Sequence, residues 1–184
     1  MTDGKKERKI FADLYRFNRK KGFMNLCSTA LRKRTFRYMV YYRWYQSGKM
    51  HGLARCALHS ICNKMNVEIG WKADIGKGFL IVHSGGIAVN NEVKIGENCT
   101  IYNGVTIGME FRGKRIGNPT LGDRVWVGPN ATIVGNVNIG DDVLVAPLAF
   151  VNFDVPSHSI VVGNPAKVIS RENATEGYIV NTDY

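Results

Sequence analysis

A branched aliphatic side chain recurs every six residues from Ile69 to Val151, and this spacing restricts the chain to one class of fold. Neither the 3.6-residue period of a helix nor the two-residue period of a strand produces it. A coil of three short strands does, with one inward aliphatic per strand, and stacked coils bury a continuous apolar column. The repeated positions are Ile69, Ile75, Ile81, Ile87, Val89, Ile95, Ile101, Ile107, Leu121, Val127, Ile133, Ile139, Val145 and Val151.

The net charge of +10 is unevenly distributed along the chain. Residues 1–60 hold fifteen Lys and Arg against three acidic residues, so the remainder is close to neutral. A nucleic-acid-binding role for the whole protein therefore has little support, and no nucleic-acid partner is predicted. The four cysteines form no C-x-x-C pair, which favours reduced thiols and a cytoplasmic location. The sequence shows neither a secretory signal nor an apolar run of the roughly 20 residues that cross a membrane.

The segment before the repeat is predicted to be helical. From Phe23 to Asn63 it contains no Pro and carries apolar residues at three- and four-residue spacing, which predicts two helices broken near Ser47–Gly48 and His51–Gly52. Residues 1–20 are expected to be a frayed lead-in. A solenoid needs a cap over its first coil, and these helices are expected to supply it. The predicted domains are a basic, aromatic helical segment (1–63), a β-helix domain (64–155) and a C-terminal extension (156–184).

The repeat has two irregularities. It slips by two residues between Ile87 and Val89, and eight extra residues interrupt it between Ile107 and Leu121. The insertion contains glycines and basic residues, so residues 108–120 are predicted to form a projecting loop. After Val151 the chain is expected to leave the repeat through Pro156 and Pro165, and the tail from Glu172 onward carries no structural signal.

Three segments resemble the hexapeptide-repeat acyltransferases: HSGGIAVNNEVKIG, TIYNGVTIG and VVGNPAK. The resemblance runs from about Ile69 to Ile169 and is strongest to the serine acetyltransferase branch and its polysaccharide O-acetyltransferase relatives. It implies a mainly β fold, a left-handed parallel β-helix with a short N-terminal helical cap. It also implies acetyl-CoA as acyl donor, no metal, and a homotrimer with active sites at the subunit seams.

His83 is the candidate general base. Acetyl transfer to an alcohol requires a base for the hydroxyl proton, and neutral imidazole suits that task near pH 7. The resemblance assigns the matching His this role, whereas the alternative is a His that only fills a turn. Stacking by one coil places Asn103 beside His83, where it would bind substrate or belong to a structural Asn ladder. His51, His59 and His158 are expected to be structural or solvated.

The resemblance also implies cofactor contacts. Pantetheine in this family lies along Gly-rich corners between adjacent prisms, and Gly108, Gly128 and Ala146 occupy such corners. Lys167 in the GNPAK segment is a candidate for the nucleotide phosphates. The loop cations that share this candidate role, with solvated charge as the alternative, are Arg112, Lys114 and Arg115.

The acceptor is the least constrained part of the prediction. Serine acetyltransferases typically have Asp immediately before the catalytic His, where this chain has Val82. They also have Arg-His in the loop, where this chain has Gly117 and Asn118. On these departures the predicted acceptor is a sugar hydroxyl of a surface-polysaccharide precursor, with Asn118 in substrate binding. Serine O-acetylation of cysteine biosynthesis is the alternative, with negligible turnover of serine expected.

Two other classes of protein are compatible with such a prism. Carbonic anhydrases of the γ class use the same prism but need three His ligands for a metal, and only His83 lies on these repeats. A non-enzymatic hexapeptide scaffold is the other alternative, which a functional His83 would exclude.

The N-terminal segment suggests contact with a membrane surface. It mixes ten aromatic residues with its positive charges, a composition typical of a helix at an anionic lipid interface. Such contact would place the protein at the inner face of the membrane. In the alternative, the aromatic rings pack on the first coil.

Overall fold

The structure, a computed structural model, describes residues 3–48 and 51–184. Helices precede a three-sided solenoid in this part of the chain. The helices are α1 (Asp3–Asn18), α2 (Phe23–Arg32), α3 (Arg34–Ser47) and α4 (His51–Met65).

The helical segment differs from the prediction in two ways. The predicted break is confirmed at Ser47–Gly48, where α3 ends and its C-cap Gly48 has the left-handed conformation with φ of 75°, whereas His51 and Gly52 already belong to α4. An additional break falls at Lys33, whose backbone is extended, so the prediction of two helices between 23 and 63 was wrong. The lead-in was also mispredicted: α1 is a long helix because Ile10 and Leu14 pack on α2 and α3. None of the described helices is long and apolar enough to cross a membrane.

Fifteen strands follow within the described residues, most of them two or three residues long. They are β1 (Val67–Ile69), β2 (Asp74–Ile75), β3 (Leu80–Ile81), β4 (Ile87–Val89), β5 (Lys94–Ile95), β6 (Thr100–Ile101), β7 (Thr106–Gly108), β8 (Thr120–Leu121), β9 (Trp126–Val127), β10 (Thr132–Val134), β11 (Asn138–Ile139), β12 (Val143–Val145), β13 (Phe150–Val151), β14 (Ser159–Val162) and β15 (Lys167–Ser170).

The strands form three sheets, one for each side of the prism. Sheet A has the order β1-β4-β7-β10-β13, sheet B β11-β8-β5-β2, and sheet C β15-β14-β12-β9-β6-β3. Successive coils pair in parallel, and among the described strands only β15 runs antiparallel to its neighbour. The predicted left-handed parallel β-helix is confirmed.

The register follows the repeat. Ile69 pairs with Val89, Ile75 with Ile95, and Ile81 with Ile101, so the two-residue slip lies in the turn between β3 and β4. All the predicted inward aliphatics are buried in one core cluster. Cys99 belongs to the same column, and burial raises the pKa of its thiol to about 12.

The solenoid continues further than predicted. Residues 159–162 form β14, which pairs in parallel with β12, so the expected exit from the repeat at residue 156 was wrong. The coil persists because Val155 lies beside Ile139 and Val161 beside Val145, and both valines are buried. The two residues of each pair are separated by fewer positions than the paired residues of earlier coils. A search for a fixed six-residue spacing therefore does not detect this last coil.

The C-terminal tail, which carried no sequence signal, folds back over the protein. Asp142 accepts hydrogen bonds from the amides of Ala174 and Thr175 and from the Thr175 hydroxyl. Burial raises the pKa of Asp142, but these hydrogen bonds and one from His158 outweigh it, so this pKa lies below its usual range. Further along, the Arg16 guanidinium donates to the Val180 carbonyl, which ties the tail to α1.

Candidate active site

His83 lies in the turn 82–86 that joins β3 of sheet C to β4 of sheet A. We call this side of the prism the C/A edge. Gly85 and Gly86 both have positive φ, 118° and 65°, which side-chain-bearing residues rarely adopt. The Gly85 carbonyl accepts a hydrogen bond of 2.7 Å from the Gly104 amide in the next coil. The two glycines thus form a tight, anchored turn that presents His83 at its start.

The imidazole of His83 is exposed to solvent. Its ring contacts the edge of the Tyr102 ring, with 5.8 Å between centroids, and no hydrogen bond to it is found among the described residues. Tyr102 in turn contacts Trp126 at 5.0 Å, and Trp126 contacts Tyr178 of the tail at 5.1 Å. Aromatic contacts therefore orient the ring, while both its nitrogens can meet a substrate or a neighbouring subunit.

Sequence reasoning missed this aromatic column. Its members stand next to inward aliphatics, since Tyr102 follows Ile101 and Trp126 precedes Val127. Stacking of the coils could have indicated that the two rings meet, because β6 pairs with β9.

Several predicted cofactor residues follow the same C/A edge. Gly128 and Ala146 come directly after β9 and β12, and their amides donate to Val145 and Val161. Lys167 opens β15 opposite Val162. With about 4.8 Å between strands, the edge extends roughly 19 Å from β3 to β14. His83 and these three residues are thus on one line, which is the arrangement an extended thioester substrate requires.

Gly128 also has a structural reason to be glycine. A side-chain carbon added there would lie 2.8 Å from the backbone nitrogen of Pro147 in the next coil. Asn103 is half-buried at the C/A edge, and its carbonyl accepts a hydrogen bond from the Asn130 amide. Its side-chain role stays a prediction.

The insertion leaves the prism at a different edge, between β7 of sheet A and β8 of sheet B, which we call the A/B edge. Glu110 and Gly117 exchange two backbone hydrogen bonds of 3.1 Å, so the loop is a small hairpin. Gly108 ends β7 at its base. The Arg115 guanidinium donates to the Asn152 carbonyl, whereas the exposed Arg112 and Lys114 make no hydrogen bond or ion pair within the described residues. Two of the three loop cations are therefore free for phosphate.

Asn118 lies at the foot of this hairpin and meets a carboxylate that sequence reasoning missed. Its side-chain amide donates to Glu92 at 3.3 Å. The Asn118 side-chain oxygen is buried and has no hydrogen-bond partner among the described atoms. The Glu92 carboxylate itself is exposed and held by Asn118, so it is available to an ammonium group.

One chain does not bring the two edges together. His83 is on the C/A edge, whereas Glu92, Asn118 and the loop cations are on the A/B edge, with sheet A between them. His83 and these charged groups can contact the same substrate only where the C/A edge of one chain meets the A/B edge of another. Away from both edges, the Nδ1 atom of His158 lies 2.9 Å from the Asp142 carboxylate, so His158 has a structural role.

The fold and this edge define a hexapeptide-repeat transferase, and residues 118–152 match the family model described as bacterial transferase hexapeptide (six repeats). A serine acetyltransferase of Helicobacter pylori is 43% identical over 108 residues, covering 58% of this chain and 62% of that protein. One of Mycobacterium tuberculosis is 33% identical, covering 76% and 60%. The chain thus spans less than two thirds of these curated relatives.

Solved structures extend the comparison over nearly the whole chain. Soybean serine acetyltransferase superposes with a TM-score of 0.72 at 34% identity, covering 91% of this chain and 70% of that one. The enzyme of Neisseria gonorrhoeae, solved in complex with serine, gives 0.70 at 29% identity, covering 92% and 71%. The chain belongs to the serine acetyltransferase family.

This result corrects the predicted acceptor. A sugar hydroxyl and a place among polysaccharide O-acetyltransferases were expected, but these relatives are serine acetyltransferases. The expectation rested on Val82 and Asn118 leaving nothing to neutralise serine's ammonium. The folded chain, however, places the carboxylate of Glu92 beside Asn118.

Proposed function

We propose that this protein transfers the acetyl group of acetyl-CoA to the hydroxyl of L-serine. The observation that carries the proposal is His83, exposed on an anchored glycine turn of a serine acetyltransferase fold. Its imidazole takes the proton of the serine hydroxyl as the oxygen attacks the thioester carbon. The tetrahedral intermediate then collapses, the ester forms, and the leaving thiolate takes the proton back from the imidazolium.

The groups at the two edges divide the remaining tasks. The exposed Glu92 carboxylate supports binding of the serine ammonium, and Asn118 positions that carboxylate by donating a side-chain hydrogen bond to it. Gly128 and Ala146 line the C/A edge for the pantetheine arm. Arg112, Lys114 and Lys167 supply positive charge for the nucleotide phosphates.

The separation of the edges supports the homotrimer that the family resemblance implies. If three prisms pack side by side, the C/A edge of one chain faces the A/B edge of the next, and each seam holds a complete site. Sedimentation of the full chain should give a mass near three times 20.6 kDa. A monomer that acetylates serine at full rate would contradict this arrangement.

The function is tested by thiol release from acetyl-CoA with L-serine as acceptor. The wild-type protein should form O-acetylserine, and failure to do so while acetyl-CoA binds would overturn the proposal. In the same assay, Glu92→Gln should raise KM for serine about tenfold with little change in kcat, because a hydrogen bond to a charged group is lost. Glu68→Gln, another exposed carboxylate on the prism, is the control and should leave KM unchanged.

The cysteines support a cytoplasmic location. All four are unpaired, and Cys27 and Cys56 are exposed, a state that reducing compartments maintain.

A further inference from the structure

Helix α2 turns an apolar face to solvent. At 100° per residue, Phe23, Cys27, Leu31 and Met24 fall within an arc of about 100°. The exposed fractions are 70% for Phe23, 86% for Met24 and 75% for Leu31, and Cys27 is also exposed. A single exposed hydrophobic residue is ordinary, but a continuous face of them marks an interaction site.

This face is not the one that α2 uses for folding. Leu26 and Thr29, on the other side of the helix, are buried. Leu26 packs with Ile10, Leu14 and Phe36 in the core of the helical cap. The outward residues therefore contribute nothing to the fold that would explain their apolar character.

Most aromatic residues of the N-terminal segment do not share this exposure. Phe36, Tyr38 and Tyr42 are buried, and Tyr42 donates to the carbonyls of Gly70 and Ala73 in the first coil. Buried rings cannot reach a lipid surface, so the aromatic residues of this segment do not form a membrane contact together. The surface in question is narrower and belongs to α2.

Positive charge surrounds the apolar face at both ends of the helix. Arg19, Lys20 and Lys21 precede α2, and Arg32, Lys33 and Arg34 close it, all of them exposed. The sequence holds no acidic residue between Asp13 and Glu68. An apolar stripe of about 12 Å bordered by two clusters of cations is the pattern of an interfacial helix.

We propose that the exposed face of α2 docks on an anionic lipid surface. Phe23, Met24 and Leu31 enter the boundary between headgroups and acyl chains, and the flanking cations meet lipid phosphates. A second copy of this chain is a poorer occupant, because self-association would bring the cation clusters together. Nucleic acid would leave the apolar stripe at the centre of the surface without a partner. The proposal is independent of the acceptor assigned to the active site.

The test is vesicle flotation of the full chain. The protein should float with vesicles containing phosphatidylglycerol and not with phosphatidylcholine alone. Raising the salt from 0.1 M to 1 M shortens the screening length from about 10 Å to about 3 Å and should weaken binding roughly tenfold or more. The double variant Phe23→Ser with Leu31→Ser should lower binding by on the order of tenfold per side chain while serine acetylation is retained.

Matched variants distinguish vesicle binding through the exposed face of α2 from nonspecific adsorption. Leu148→Ser removes a side chain that is 67% exposed on the prism and should leave flotation unchanged. Lys20→Glu with Lys33→Glu should abolish preference for the anionic vesicles. Three results would overturn the proposal: no flotation at low salt, equal flotation of the Phe23 and Leu31 double variant, or duplex DNA binding without vesicle binding. Loss of oligomer in that variant without wild-type flotation would instead make the face a subunit contact.

Discussion

Replacing His83 with Ala should lower kcat for serine acetylation by about 10²–10⁴-fold, the usual contribution of a positioned general base. The side chain is exposed on its turn and lies outside the prism core, so the loss should not affect folding. The measurement is kcat under saturating acetyl-CoA and serine, with acetyl-CoA binding and far-UV circular dichroism recorded on the same preparation.

Two controls make this result specific. His59 is another exposed histidine, on α4, and His59→Ala should retain wild-type turnover. Added imidazole should restore part of the activity of His83→Ala, because it can occupy the vacated site as a free base. Wild-type kcat in His83→Ala would place the base elsewhere.

The solenoid could be predicted from the sequence because its core is periodic. A branched aliphatic recurs at an inward position of each coil side, and Ile75, Ile95 and Leu121 show how one coil stacks on the next. Even the slip at Ile87 and Val89 was visible, since both residues point inward on one strand. Periodicity of this kind determines the strand register, because each inward aliphatic must stack on the one a coil earlier.

Features outside the core were harder to predict. The break at Lys33 has no Gly or Pro to mark it, and the last coil departs from six-residue spacing around Val155. The tail carries no pattern because its attachment depends on Asp142, which is 33 residues away in sequence and comes within reach only after folding. A local sequence pattern does not predict such long-range contacts.

The error about the acceptor has the same origin. At the sequence positions that match the family's polar residues, this chain has Val82, Gly117 and Asn118, and none of them carries a negative charge. Glu92 and Asn118 are 26 residues apart and meet only because consecutive coils stack at the A/B edge. A site assembled from neighbouring coils must be judged by stacked positions rather than by sequence neighbours.

A buried ion pair joins the helical cap to the first coil. Asp13 of α1 accepts two hydrogen bonds from Arg43 of α3, at 2.8 and 3.2 Å, and a third from the Phe79 amide at 2.9 Å. Arg43 also donates to the carbonyls of Ile75 and Gly76. Both side chains are almost fully buried. This network connects two helices to the prism with every charge paired.

Asp13→Ala should therefore be among the most destabilising single changes outside the aliphatic column. It leaves the Arg43 guanidinium buried without its carboxylate, and breaking a buried pair in this way typically costs about 3–5 kcal/mol. For a chain of this size the thermal midpoint should fall by on the order of 10 °C. The measurement is thermal unfolding followed by circular dichroism at fixed protein concentration.

A surface ion pair and a double variant test whether burial of the Asp13–Arg43 pair causes the predicted loss of stability. Lys9 and Asp74 are 3.9 Å apart, and the Asp74 side chain is mostly exposed, so Asp74→Ala should cost about 1 kcal/mol or less. Asp13→Ala combined with Arg43→Met removes both charges and should unfold at a higher temperature than Asp13→Ala alone, because no unpaired charge remains buried. If the double variant instead loses the sum of both single effects, the cap is held by separate contacts to the carbonyls and the Phe79 amide, and the ion pair itself contributes little to its attachment.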